Sequence, residues 1–85
     1  MKLHMYAIIW NEHIKDIVIA HNEEEAYELA SDDLYEVDAH GQPIKIVDDS
    51  LQTMTNRGLM TVREIIEHYG EPRYVVGIDD IRVQI

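Results

Sequence analysis

The chain has no cysteine, which excludes disulfides, thiolate zinc sites and thiol nucleophiles together and leaves the fold to rest on apolar burial. Long apolar runs are also missing. The run through Tyr6-Ala7-Ile8-Ile9-Trp10 falls far short of the roughly 20 residues that span a bilayer, and it lacks a signal-peptide cleavage pattern. A soluble, cytoplasmic protein is the expectation. The four glycines, Gly41, Gly58, Gly70 and Gly77, are isolated, so no G-x-G-x-x-G or P-loop pattern cradles a phosphate. Ser31 and Ser50 each adjoin an aspartate, with no glycine-rich elbow and no neighbouring histidine; nucleophilic catalysis therefore finds no support.

Positive charge is the other scarce commodity. Seven Lys and Arg stand against 17 Asp and Glu, a net charge of −10. Residues 1–50 carry Lys2, Lys15 and Lys45 against twelve acids, a net of −9, whereas residues 51–85 carry four arginines against five acids, a net of −1. A field of that sign repels nucleic acid and anionic membrane and steers toward basic partners.

What is present in 85 residues reads as a single domain, 1–85, able to bury about 60–65% of the surface its unfolded chain exposes. Leu3 to Trp10 and Asp16 to His21 are rich in β-branched and aromatic residues and predict a hairpin. If its loop sets Trp10 opposite Lys15, Ile8 faces Ile17, Tyr6 faces Ile19 and His4 faces His21. Leu3, Met5, Ala7, Ile9, Val18 and Ala20 then share the other face. Both faces are apolar. One helix covers only one of them, so the second requires another element or another subunit.

Asn22 with Glu25 three residues on is a capping-box signature, and Ala26, Leu29 and Ala30 give the narrow apolar stripe of a helix that ends between Ser31 and Tyr35. Leu34 to Asp38 and Pro43 to Val47 then resemble strand and strand around a turn at Gly41; alternatively, the helix runs on through Tyr35. Asp48 to Gly58 has turn residues and no clear period, and reads as loop. Thr61-Val62-Arg63-Glu64 is a second capping box, Met60 and Ile65 occupy staple positions, and Val62, Ile65, Ile66 and Tyr69 recur at helical spacing until Gly70 and Pro72 stop the helix. Arg73 to Ile78 reads as a core strand, and Ile81, Val83 and Ile85 as its continuation or a short return strand. The order β-β-α-(β-β)-α-β predicts an α+β domain with a mostly antiparallel sheet of four to five strands and two helices.

Few side chains suggest chemistry. Glu64 and His68 have i, i+4 spacing for a divalent metal, yet a carboxylate stands where a helical zinc motif needs its first histidine, and a polar face must be filled in any case. Asp48-Asp49 and Asp79-Asp80 lie outside any calcium-loop pattern and read as turn residues. His4 and His21, if paired across the hairpin, would repel on protonation. No catalytic residue, metal or cofactor is expected, and a small metal-dependent enzyme is a distant third reading.

The stretch from His21 to Asp33, HNEEEAYELASDD, holds six carboxylates and no lysine or arginine. Glu23, Glu24 and Glu25 suit the first helical turn. Glu24, Glu28 and Asp32, if the helix reaches that far, form a row with steps of about 6 Å along the axis, comparable to a line of phosphates. Like charges so spaced weaken an isolated helix, and no base relieves them. A solvated face accounts for them equally well.

The segment from Met5 through Ala30, a hairpin followed by I-A-H-N-E-E-E-A-Y-E-L-A, resembles the strand-strand-helix modules of small phage and mobile-element proteins. In those modules a strand ending in Ala-x-Ser leads into Glu-Glu-Ala; here Asn22 stands where serine is commoner. Such modules share no common activity. What the resemblance implies is a setting in which small acidic proteins occupy host proteins, including surfaces that otherwise hold nucleic acid.

Two functional expectations follow. In the first, a non-enzymatic module presents Glu24, Glu25, Glu28, Asp32, Asp33 and Glu36 to a basic, nucleic-acid-handling host protein and inhibits it by mimicry. In the second, a homo-oligomeric accessory protein, in the simplest case a homodimer, buries Tyr6, Ile8, Trp10, Ile17 and Ile19 between copies, and the acid serves solubility. The two are compatible.

Overall fold

The computed structural model describes residues 1–12, 14–75 and 81–84. It is an α+β protein in which two helices and two antiparallel sheets follow the order β1 (His4–Asn11), β2 (Ile14–Ala20), α1 (Glu23–Ala30), β3 (Ile44–Val47), β4 (Gln52–Thr55), β5 (Gly58–Thr61), α2 (Val62–Tyr69), β6 (Arg73–Tyr74) and β7 (Val83–Gln84). One sheet has the strand order β3-β1-β2-β6, and the other β5-β4-β7.

The expected hairpin forms, with a one-residue correction to its register. Asn11 lies opposite Ile14, which agrees with Trp10 facing Lys15, but the pairing then jumps so that Ile9 faces Lys15, Ile8 faces Asp16, Tyr6 faces Val18 and His4 faces Ala20. A bulge at Trp10 absorbs the extra residue, and every pair beyond it is displaced by one. Because side chains alternate, that displacement exchanges the partners on each face. Met5 and Ala7 share a face with Ile17 and Ile19; Tyr6 and Ile8 share the other with Val18 and Ala20. The His4/His21 pair is not made: the His4 ring lies edge-on to Tyr6, and His21 turns to Glu25.

The bulge also sets Asp16 beside Trp10. The Trp10 indole N–H donates to Asp16 Oδ2, and the Tyr74 hydroxyl on β6 donates to Asp16 Oδ1 at 2.6 Å. Burial, followed by this bond to a carboxylate, pushes the Tyr74 phenol well above its ordinary range.

Both sheet faces are covered within the chain, which explains why Met5 to Ile8 and Ile17 to Ala20 are apolar on both faces. Val62, Ile65 and Ile66 of α2 pack with Val47 and Val75 on the Met5/Ile19 face, while Ala26 of α1 and Ala39 pack on the Tyr6/Ile8 face. The five residues expected at an oligomer contact therefore fail to form one outer surface. Tyr6 and Ile8 are buried under α1, Ile17 and Ile19 under α2, and Trp10 is half-buried against the α1 cluster. Of the two covers expected for the second face, another element or another subunit, the chain supplies the element, α2.

Helix α2 follows its signature closely. Thr61 accepts from the Glu64 amide at 3.1 Å, the Glu64 carboxylate accepts from the Thr61 amide at 3.0 Å, and Gly70 ends the helix in a left-handed conformation, φ 68°. The Val62 and Arg63 amides donate to the Leu51 and Asp49 carbonyls, so the first turn leaves neither unsatisfied.

Two other expectations require correction. Residues 34–38 form no strand, and β3 pairs with β1 instead, Ile8 opposite Ile44 and Met5 opposite Val47. Much of the expected loop 48–58 is the β4–β5 hairpin, turned at Asn56-Arg57 with Gly58 at φ 99°. Its pattern is inverted relative to a usual strand: Thr53 and Thr55 point inward and Met54 outward. The buried hydroxyls are satisfied by the Gln84 and Gly58 carbonyls at 2.6 and 2.8 Å. The core strand from Arg73 begins as β6, but its residues 76–78 lie outside the described residues, and Val83–Gln84 joins β4 as a return strand in the second sheet.

Replacing Ile19 by Ala should lower stability by roughly 2–5 kcal/mol through lost burial and the cavity left behind. Denaturant unfolding and light scattering together check this: the midpoint falls and the mass of the native protein stays the same. A change in mass with stability retained would instead return Ile19 to an intermolecular contact.

Candidate acidic interaction surface

Helix α1 begins as the sequence predicts, since the Asn22 side chain accepts from the Glu25 amide at 2.8 Å. Glu25, however, reaches back one residue further than a capping box requires. Its carboxylate accepts from the His21 backbone N–H at 2.8 Å and lies 2.9 Å from His21 Nδ1. Glu25 thus belongs to the helix start and not to an outward acidic surface. The inward stripe is Ala26, Tyr27 and Ala30, with Leu29 partly exposed instead. Tyr27 earns its place by donating its hydroxyl to the Gln42 carbonyl at 2.7 Å.

The helix stops at Ala30, which places Asp32 outside it. The Ser31 hydroxyl donates to the Tyr27 carbonyl at 2.8 Å and accepts the Ala39 amide at 2.9 Å, tying the chain after the helix back to its last turn. Asp32 and Val37 exchange two backbone hydrogen bonds, both 2.8 Å, and close a four-residue turn. The Asp32 carboxylate is spent within that turn, accepting from the Leu34 and Tyr35 amides at 2.9 and 3.4 Å. Glu36 adopts φ 55° to complete it. The three-membered row Glu24, Glu28, Asp32 is accordingly replaced by a two-dimensional arrangement.

Glu28, Asp33, Glu36 and Asp38 border a shallow depression of about 570 Å³, with Ser31, Val37 and His40 completing its lining. Of the six residues expected at this surface, Glu28, Asp33 and Glu36 meet here. Glu24 stands at its edge through His40, and Glu25 and Asp32 serve the backbone. Asp38 and His40 are additions. The Asp38 carboxylate accepts from the His40 amide at 3.0 Å and contacts His40 Nδ1 at 2.7 Å, while His40 Nε2 lies 3.1 Å from Glu24. The imidazole also stacks on Tyr27, with ring centroids 5.1 Å apart. An Asp-x-His pair in front of a glycine is a turn signal present in the sequence, but the partnership with Glu24, 16 positions away, is tertiary.

His40 consequently faces carboxylates with both ring nitrogens, a geometry only the imidazolium satisfies fully. The contacts with Asp38 and then Glu24 raise its pKa above the ordinary 6.5. The His40 amide, and then its ring, hold Asp38 below the ordinary carboxylate value.

The other sequence candidates have structural work. Glu64 is occupied by the α2 cap, and His68 lies edge-on to Tyr69. Asp48 accepts from Ser50, and Asp49 accepts from Arg63 Nε and Nη2 at 3.0 and 2.6 Å. Asp79 and Asp80 lie outside the described residues. Among the described residues no three His, Asp or Glu side chains converge as a metal site, and no helix is long and apolar enough to cross a membrane. The chain matches no family model, no curated protein and no solved structure.

The His40 clasp carries a pH prediction. A raised histidine contributes order that is complete below its unfolded pKa and is lost as pH rises through the folded one. The depressed Asp38 contributes above its unfolded pKa and is lost on acidification. The clasp between α1 and residues 38–42 should hold across mildly acidic pH and release above 6.5. NMR titration should give a His40 midpoint above that of the same segment as an unfolded peptide, with amide exchange at residues 38–42 quickening through it. In His40→Gln the exchange should lose its pH step, and an unshifted His40 midpoint would contradict the clasp.

Proposed function

We propose that this protein is a non-enzymatic binding module whose acidic surface docks on a basic, nucleic-acid-binding surface of a host protein in the cytoplasm. In its sharpest form it is a phage- or mobile-element-encoded inhibitor acting by nucleic-acid mimicry.

One observation carries the reading. Acid at the start of α1 has a structural use, because the helix dipole and the capping contacts favour it there. Beyond the other end Asp32 and Asp38 serve the backbone and His40, and Glu28, Asp33 and Glu36 are the acids in excess of that local structure. Asp33 and Glu36 gather with Glu28 at the C-terminal end of α1, where the dipole disfavours negative charge, and no lysine or arginine occurs between Lys15 and Lys45 to offset them. Such a concentration opposes local stability and gains from a cationic partner. A nucleic-acid site commonly presents such a partner, being built to neutralise closely spaced phosphates.

The reading is checked by displacement. At low salt the protein should release a subset of lysate proteins from DNA-cellulose, and the release should fade as salt shortens the screening length below about 10 Å. Glu28→Lys/Asp33→Lys/Glu36→Lys should need at least roughly tenfold more protein for the same release. A control of equal charge change, Glu12→Lys/Glu67→Lys/Glu71→Lys, should act as the unmodified chain does. Absence of release, or equal loss in both variants, would contradict mimicry.

A further inference from the structure

We propose that Leu34 and Tyr35 are the apolar anchor of this acidic surface, and that the partner is a protein offering an apolar pocket flanked by lysine and arginine. The proposal rests on the acidic-surface reading above and specifies its partner. Leu34 is 82% exposed and Tyr35 74%, while Tyr6, a residue of the same type as Tyr35, is 6% exposed in the core. Apolar residues scattered singly over a surface are ordinary. Two adjacent ones at the tip of a turn whose backbone is held from inside are different.

The double hydrogen bond between Asp32 and Val37 closes the turn, and the Asp32 carboxylate holds the Leu34 and Tyr35 amides. Both side chains are thereby displayed without depending on each other for order. Ser31 fixes the base of the turn to buried Ala39. With its backbone so held, the turn loses little main-chain entropy on docking, and tyrosine is among the residues that most often carry interface energy.

Charge selects the occupant. Asp33 and Glu36 directly flank the pair in the chain, and the acidic depression adjoins it through the same two residues. Nucleic acid and anionic membrane are repelled, and a second copy would set acid against acid. A protein pocket that is apolar at its centre and basic at its rim complements both parts at once. A partner that had only charge to offer would leave Leu34 and Tyr35 in water.

A yeast-displayed random dodecapeptide library, selected on the immobilised protein at neutral pH, tests this without a known host partner. Enriched peptides should combine aromatic or aliphatic residues with flanking lysine or arginine, and Leu34→Ala/Tyr35→Ala should weaken them roughly tenfold or more. Leu59→Ala, at another exposed apolar position, should leave them unchanged, and circular dichroism should show all variants equally folded. Purely cationic peptides that bind the double variant as tightly as the unmodified chain would overturn the anchor and leave the acidic-surface reading standing. Enrichment of no basic peptide would overturn both. Co-sedimentation with phosphatidylcholine vesicles, or a dimer in light scattering, lost on the same double substitution would assign the tip to a membrane or a second copy and likewise overturn the proposal.

Discussion

A single surplus residue in β1 governs the arrangement of this protein. The bulge at Trp10 shifts the hairpin register by one, and the shift decides which apolar residues share a face. It brings Asp16 to the side of the sheet where the Trp10 indole and the Tyr74 hydroxyl both reach it, so one carboxylate fastens the bulge to β6. It also collects Met5, Ala7, Ile17 and Ile19 under α2 and leaves Tyr6, Ile8, Val18 and Ala20 for α1. The two helices then lie on opposite faces of the central sheet. The acidic segment following α1 is kept on the far side from α2 and the Arg63–Asp49 ion pair beside it.

Within the acidic segment the carboxylates divide by what they do. Glu25 and Asp32 satisfy backbone amides and are local structure written in acid. Glu24 and Asp38 hold the imidazole of His40 between α1 and the following loop. Glu28, Asp33 and Glu36 remain around an open depression, next to two exposed apolar side chains on a fixed turn. This combination of concentrated like charge, preorganised backbone and displayed Leu34 and Tyr35 is costly for an isolated chain and coherent as a docking surface.

What could be read in the sequence was the part encoded locally. Thr61 with Glu64 and Gly70 bracket α2, and Asn22 starts α1, because capping is a contact between residues three apart. The alternation within β1 and within β2 was also legible, but not the way the two strands meet, since a bulge is a feature of the pairing between strands and leaves each strand's own pattern intact. The β4–β5 hairpin escaped because its inward residues are the hydroxyl-bearing Thr53 and Thr55, satisfied by backbone carbonyls, while Met54 faces out. For the site, the charge of the segment was visible and its geometry was not. Ser31 ends α1 and Asp32 closes a turn, so a row along a helix became a ring around a depression, with Asp38 and His40 brought in by folding.

The central claim is that the carboxylates at the C-terminal end of α1 form one local cation-seeking surface, distinct from the general negative charge of the chain. Backbone amide shift mapping during titration with pentalysine tests it most directly. The account predicts perturbations concentrated at Glu28 and residues 33–38, suppressed by salt, with little change at Glu67 on α2 and at Glu71 just after it. Perturbations of equal size at both places would contradict it, reducing the acid to a diffuse solubilising charge.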